Sequence, residues 1–383
     1  MEHIPFALPD VGDEEAEAVA GAIRSGWVTS GPLMREFERE FVETVGGGAE
    51  AIAVNSGTAG LHLVLEALGV GPGDEVIVPD WTFTATAEVV RYLGANPVIV
   101  DVDQVSLNMD LQATADAITH LTKAVIPVHF AGLAMDLVAL RDVIADRPIA
   151  VLEDAAHALP AVGTAGFVGS GAYSDAAVFS FYATKPVTTG EGGMITTRSP
   201  EIAERSRLMR LHGIDRDAFH RYTSSQPAWS YDVVAPGFKY NMPDMAAAMG
   251  RVQLARAFRM RERRQQIADF YAAELADLPV QLPQRAQEPC LHAWHLFVIR
   301  LQADGRLHRD EFIAGMCDRG VGTSVHFIPL HQHTYWRDFV ASPEATVPVA
   351  VAEAPRAVSL PISSKLTDAQ VVRVVESVRA LLG

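Results

Sequence analysis

Cysteine is nearly absent: Cys290 and Cys317 are the only two in 383 residues. Two cysteines cannot build a disulfide framework or a four-cysteine zinc site, and no metal site is expected. So little cysteine fits a reducing cytoplasm, the expected location. Lysine is scarce as well. Lys123, Lys185, Lys239 and Lys365 are the only four, the other basic side chains being arginines, so a reactive amine has few candidates. Positive charge is in deficit, with 31 Lys and Arg against 47 Asp and Glu and a formal net charge of −16. That argues against the basic surface a nucleic-acid partner needs and is read as a solubility device. No apolar run approaches the roughly 18 residues of a membrane span. Met1–Asp10 lacks the basic and apolar regions of a signal peptide, so none is expected. Also missing is the G-x-G-x-x-G turn of a Rossmann oxidoreductase, since Ser56-Gly57-Thr58-Ala59-Gly60 stands after the first strand-like segment.

What is present is a globular chain, 49% apolar and 20% charged, long enough for one large domain and a smaller one. Apolar strands are expected at Ala51–Asn55, Glu75–Pro79, Pro97–Asp101, Ala124–Val128 and Ile149–Glu153, with helical patterns between them. Continuous rather than alternating apolar strands imply burial on both faces. The alternation predicts an α/β fold with a mainly parallel central sheet flanked by helices, and with ligands at the carboxyl ends of the strands. Shorter strands follow at Ala176–Phe181 and Gly193–Thr197, then a helix from Pro243 through about Arg263. The remainder reads as a smaller C-terminal α+β unit with strands at His295–Leu301 and Gly322–Phe327. The expected division is residues 1–264, a large domain with an N-terminal arm, and residues 265–383.

The polar residues at the strand ends suggest chemistry in combination. Asp154 and then His157 follow one strand, Ser180 ends another and Lys185 comes just after it, while Gly57 and Thr58 open a helix. Singly, each has a plainer reading: a cap, a turn, a solvated lysine. Together they match what pyridoxal 5′-phosphate requires of a protein. Lys185 supplies an amine, Asp154 an anion for the pyridinium nitrogen, and Ser180 a hydroxyl. Gly57 and Thr58 supply N–H groups at the positive end of a helix for the phosphate. Lys239, before a helix in Gly237-Phe238-Lys239-Tyr240-Asn241-Met242, is the rival amine but lacks the strand and Gly-rich turn that frame Lys185.

Asn55–Ala59, Glu153–Ala158, Phe179–Lys185, Thr189–Gly193 and Gly237–Met242, with Ser25–Pro32 and His292–Phe297 near the two ends, resemble the DegT/DnrJ/EryC1/StrS family of fold-type-I sugar aminotransferases. The resemblance spans essentially the whole chain. It implies that Lys185 is the Schiff-base lysine and proton shuttle, that Asp154 pairs with the pyridinium, and that His157 lies beside the phenolic oxygen. It further implies that Gly57, Thr58 and Ser180 contact the phosphate and that Phe83 stacks on the ring. Asn241, or Lys239 two residues earlier, would reach the phosphate of a neighbouring subunit, which implies a homodimer with shared sites. Relatives with histidine at the lysine position dehydrate, so Lys185 points to transamination. The implied reaction moves an amino group from an amino acid, L-glutamate, to a nucleotide-linked keto-sugar. The nearest motif match is to enzymes acting at C4 of UDP-4-keto sugars, including the UDP-4-keto-arabinose type. Amination at C3 or of a keto-inositol remains open, as does a cofactor-binding regulator. Trp27, Thr29, Trp229 and His326 are the substrate-site candidates.

Overall fold

The computed structural model describes residues 3–215, 231–305 and 307–383. Twelve strands are seen among them: β1 Glu50–Val54, β2 Glu75–Pro79, β3 Asn96–Val100, β4 Thr122–Val125, β5 Ala150–Asp154, β6 Val162–Gly163, β7 Gly166–Phe167, β8 Ala176–Ser180, β9 Gly193–Thr197, β10 Val280–Gln281, β11 Phe297–Leu301 and β12 Ala357–Leu360. Seven of them form one sheet in the order β1-β9-β8-β5-β4-β2-β3. Every neighbouring pair is parallel except the two made by β9. This is the mainly parallel α/β sheet that the continuous apolar strands predict.

Alternate residues of each strand face opposite sides of the sheet, and both sides are buried. Ile52, Val54, Val178 and Ile195 join Leu61, Val64 and Leu65 of the helix Gly57–Ala67 in one core. Ala51, Ala53, Phe179 and Met194 join Phe37 and Phe41 of the helix Pro32–Val45 in the other. Gly60 lets the first helix approach closely, because a Cβ there would come within 2.7 Å of Val178 Cγ1. That contact brings the helix N-terminus to the end of β8, next to Ser180.

The smaller antiparallel sheet, β10-β11-β12, is covered by the helices Arg309–Asp318 and Asp368–Leu382. These bury Phe312, Met316, Val374 and Val378 in a core of their own. One helix, Asp244–Glu274, serves both cores. Ala247, Leu254, Ala257 and Met260 pack with the large sheet; Ile267, Ala268 and Tyr271 pack with the small one. It therefore runs eleven residues past the expected stop at Arg263. No Gly or Pro interrupts Arg264–Glu274, and the buried face continues through Arg264, Ile267 and Tyr271. Residue 264, where a division was expected, lies inside this helix.

Two further expectations are corrected. Gly322–Phe327 is not a strand: it makes one isolated bridge, Ser324 to Ser359, and Val321 just before it makes another, to Ile4. The segment instead bends so that His326 stacks on Phe6, with centroids 5.0 Å apart. The strand expected from His295 starts at Phe297. Trp294, at φ 50° and stacked on His292 at 3.8 Å, turns the chain just before it.

Candidate active site

A cleft of about 360 Å³ opens at the carboxyl ends of the central strands. Gly57, Thr58, Phe83, Asp154, His157, Ser180, Lys185 and His326 all line it. Each arrives for a local reason. The loop after β8 is pinned by Phe181, which is buried against Phe37 and Phe41 and whose N–H and C=O bond to Gly192 and Thr189. A turn in which Lys185 N–H donates to Tyr182 C=O (2.9 Å) then presents the lysine side chain. Burial pushes the Lys185 amine down to about 8, with Asp154 pulling the other way.

Asp154 ends β5 on the same face as Leu152. Its carboxylate accepts the Thr86 hydroxyl (2.8 Å) and the Ala156 N–H (3.1 Å), and Thr82 in turn bonds Thr86 (2.8 Å). A buried carboxylate so held keeps a fixed direction. Opposite it, Ser56 caps the helix Gly57–Ala67: its hydroxyl takes the Ala59 N–H (3.1 Å) and its carbonyl the Gly60 N–H (3.2 Å). The N–H groups of Gly57 and Thr58 have no intrahelical acceptor and are the anion-binding end of the helix. A Cβ on Gly57 would stand 3.1 Å from Ser180 Cβ, so these N–H groups and the Ser180 hydroxyl share one corner.

The aromatic side of the cleft is made by His157, His295, His326 and Phe327. His157 packs on His295 (4.4 Å between centroids) and on Phe327 (5.6 Å, stacked), while Phe83, 54% exposed, faces Phe327 at 5.6 Å. An aromatic that open beside a cleft is available to a flat ligand. Burial, and then Lys185, push His326 down to about 4. Burial, then Lys185, His326 and His129, push His157 well below the ordinary imidazole range.

The segment carrying His326 and Phe327 belongs to the C-terminal part and is tied to the end of β2. Asp80 accepts the His331 N–H (2.9 Å) and pairs with its Nδ1 (2.6 Å). Trp81 Nε1–H donates to the His326 carbonyl (3.2 Å). The side chains of Asp80 and His331 are 0% and 8% exposed. Asp80→Ala leaves the His331 side chain without this partner, and a loss of about 2 kcal/mol in unfolding free energy is expected, read from the denaturant midpoint.

Three expected residues are not in this cleft. Trp27, Thr29 and Asn241 gather instead where the long helix begins. Asn241 Nδ2 donates to Ser30 Oγ (2.6 Å) and Ser30 Oγ donates to Met242 C=O (2.7 Å). Trp27 Nε1 donates to Ser30 C=O (3.0 Å) and Asp244 N–H to Thr29 C=O (3.0 Å). The Lys239 ammonium donates to Asn241 Oδ1. Trp229 lies outside the described residues. Conversely, Thr82, Tyr182, Thr184, Glu191 and His295 line the cleft without having been singled out. Tyr182, Thr184, Glu191 and His295 lie inside the motifs Phe179–Lys185, Thr189–Gly193 and His292–Phe297, the one signal that could have marked them; Thr82 has none. Among the described residues no group of three or more His, Cys, Asp or Glu could hold a metal, and no helix is long and apolar enough to cross a membrane.

Comparison with known proteins adds the following. The model of the DegT/DnrJ/EryC1/StrS aminotransferase family matches residues 9–379. The spore coat polysaccharide biosynthesis protein SpsC of Bacillus subtilis is 42% identical over 99% of this chain and 97% of that one. Spr1654 from Streptococcus pneumoniae, solved in a PLP form, superposes with a TM-score of 0.90 at 32% identity, covering 99% of this chain and 98% of the other. The sugar aminotransferase CalS13 from Micromonospora echinospora gives 0.87 at 30% identity, over 98% and 99%.

Proposed function

The chain belongs to the DegT/DnrJ/EryC1/StrS aminotransferase family, and we propose that it transfers the amino group of L-glutamate to C4 of a UDP- or dTDP-linked 4-keto-sugar, using pyridoxal 5′-phosphate carried on Lys185. Membership makes it a sugar aminotransferase with the fold-type-I architecture and the pyridoxal phosphate dependence of its relatives. The amino-sugar product would serve polysaccharide, lipid or secondary-metabolite glycosylation. The observation that carries the reading is the convergence of Lys185, Asp154 and the capped helix N-terminus on one cleft.

The residues present fit the cofactor. Its chemistry, when bound, is to withdraw electrons from the carbon that bears the amino group. Asp154, held by Thr86 and Ala156, offers the negative charge that keeps a pyridine nitrogen protonated. The Gly57 and Thr58 N–H groups and the Ser180 hydroxyl offer donors to the phosphate. The partnerless, buried Nδ1 of His157 leaves its other nitrogen as the one that would meet the phenolic oxygen, and Phe83 would cover a ring face. Lys185 is the cleft's base for the donor's Cα proton. With the amine brought down to about 8, about a tenth of it is neutral at pH 7, against about one part in a few thousand for an ordinary lysine. The cluster of Asn241, Lys239, Trp27 and Thr29 beside the long helix is read as the contribution to the site of a second copy, in a homodimer with residues 1–264 and 265–383 as its two domains.

Lys185 is protonated below about pH 8 and neutral above it. The rate at which cofactor-free protein recaptures pyridoxal 5′-phosphate is therefore expected to rise with pH and to level off just above 8, followed by visible absorbance. A rate still climbing past pH 10 is that of an ordinary lysine. The substrate assignment is tested by a panel of nucleotide-linked keto-sugars with glutamate, read by mass spectrometry. Amination at C4 is expected, and product only at C3 or on a keto-inositol would overturn it.

A further inference from the structure

No arginine is among the described residues that line the cleft, and Lys185 is their only full cation. An amino-acid donor brings carboxylates and a keto-sugar brings hydroxyls and a carbonyl, so donors must come from elsewhere. His295 is 6% exposed, lines the cleft and stands against His157 with ring centroids 4.4 Å apart. In both rings Nδ1 is buried with no hydrogen-bond partner. A neutral imidazole carries one proton, and sealing an N–H away from any acceptor costs more than sealing a bare lone pair. On each ring the proton is therefore assigned to Nε2, the nitrogen left toward the cleft. Both rings are neutral at pH 7. For His295, burial comes first, then His157, Lys185, Arg264 and His326, all pushing the ring well below the ordinary range.

Two N–H donors thus stand side by side, and the cofactor's phenolic oxygen, on the proposed reading, would engage only the first. We infer that His295 is a substrate-binding residue, its Nε2–H donating to an oxygen of the reacting molecule held beside His157: a carboxylate oxygen of the amino-acid donor, or a hydroxyl or carbonyl oxygen of the sugar. This rests on the proposed transamination, and the two half-reactions separate the two sources of that oxygen.

The test follows each half-reaction by stopped-flow absorbance, with protein loaded with pyridoxal 5′-phosphate mixed with L-glutamate in one arm and protein carrying pyridoxamine 5′-phosphate mixed with the keto-sugar in the other. His295→Phe keeps a flat ring against His157 and removes the donor. Its apparent dissociation constant for one of the two reactants is expected to rise about 10- to 100-fold, the factor for one hydrogen bond to a polar or charged oxygen. The cofactor's absorbance band, its pH titration and its affinity should stay at parent values. His295→Gln, which returns an N–H, should recover part of the loss. His295→Leu gives the same reading if the larger ring does not fit. Unchanged constants in both arms overturn the inference. So does equal damage to both arms together with a shifted cofactor band, the mark of disturbed packing around His157. The parent protein's own half-reaction with glutamate separates a failure of this inference from a failure of the proposed function.

Discussion

Lys185→Ala is expected to cut transamination by about ten-thousand-fold or more and to leave purified protein without the visible band of a covalently held cofactor. Both effects come from one nitrogen. On the proposed reading the substitution removes the amine that holds the cofactor and, with it, the cleft's base. No other lysine of the same chain lines the cleft, and Lys239, placed with the residues a second copy would contribute, is engaged with Asn241. Lys185→Arg separates charge from nucleophilicity. It restores a cation but not a deprotonable amine, so it should be as inactive as the alanine variant. Because removing Lys185 relieves the cost of burying an amine, the thermal midpoint of the cofactor-free protein should not fall. Steady-state turnover, the absorbance spectrum and a melt check the three statements, and turnover in either variant above about a hundredth of the parent's contradicts the assignment.

Asp154→Asn is expected to lower kcat by about a thousand-fold while the protein stays folded and still binds pyridoxal 5′-phosphate. Asparagine keeps the shape; its one oxygen can accept the Ala156 N–H while its Nδ2 faces the Thr86 hydroxyl, which must then accept rather than donate, and it removes the charge proposed to hold a proton on the ring nitrogen. The loss should therefore fall on kcat rather than on KM for either reactant. Thr86→Val takes away only one bond to the carboxylate and should cost about tenfold. Circular dichroism and steady-state kinetics separate these outcomes, and an asparagine variant with parental kcat removes Asp154 from the chemistry.

The residues that sequence reading gathered into the cleft share one property: each lies within a few positions of an apolar strand's carboxyl end or a helix's first turn. Continuous apolar strands announce a sheet buried on both faces, and such a sheet delivers whatever follows each strand to one edge. Gly57, Thr58, Asp154, His157, Ser180 and Lys185 were legible for that reason. His295 was not, because its segment reads as strand, and only the turn at Trp294, braced by His292, lifts it out of the ladder. Thr82 and Thr86 have no signal of their own: they matter because Asp154, far away in sequence, needs a hydroxyl. The same holds for Asp80 and His331, a pair 251 positions apart. The long helix outran its expected end because a polar stretch, Arg261–Gln266, reads as a boundary, whereas a second core takes up the apolar face just beyond it. Trp27, Thr29 and Asn241 were grouped with the site by motif alone. One chain shows them together but apart from its own cleft.

The central claim is that Lys185 carries the cofactor, and the most direct measurement is chemical. Purified protein loaded with pyridoxal 5′-phosphate is reduced with borohydride, digested and mapped by mass spectrometry. The account predicts a pyridoxyl group on the peptide containing Phe179–Lys185, attached at Lys185. Modification confined to Lys239, Lys123 or Lys365, or none at all, would contradict it.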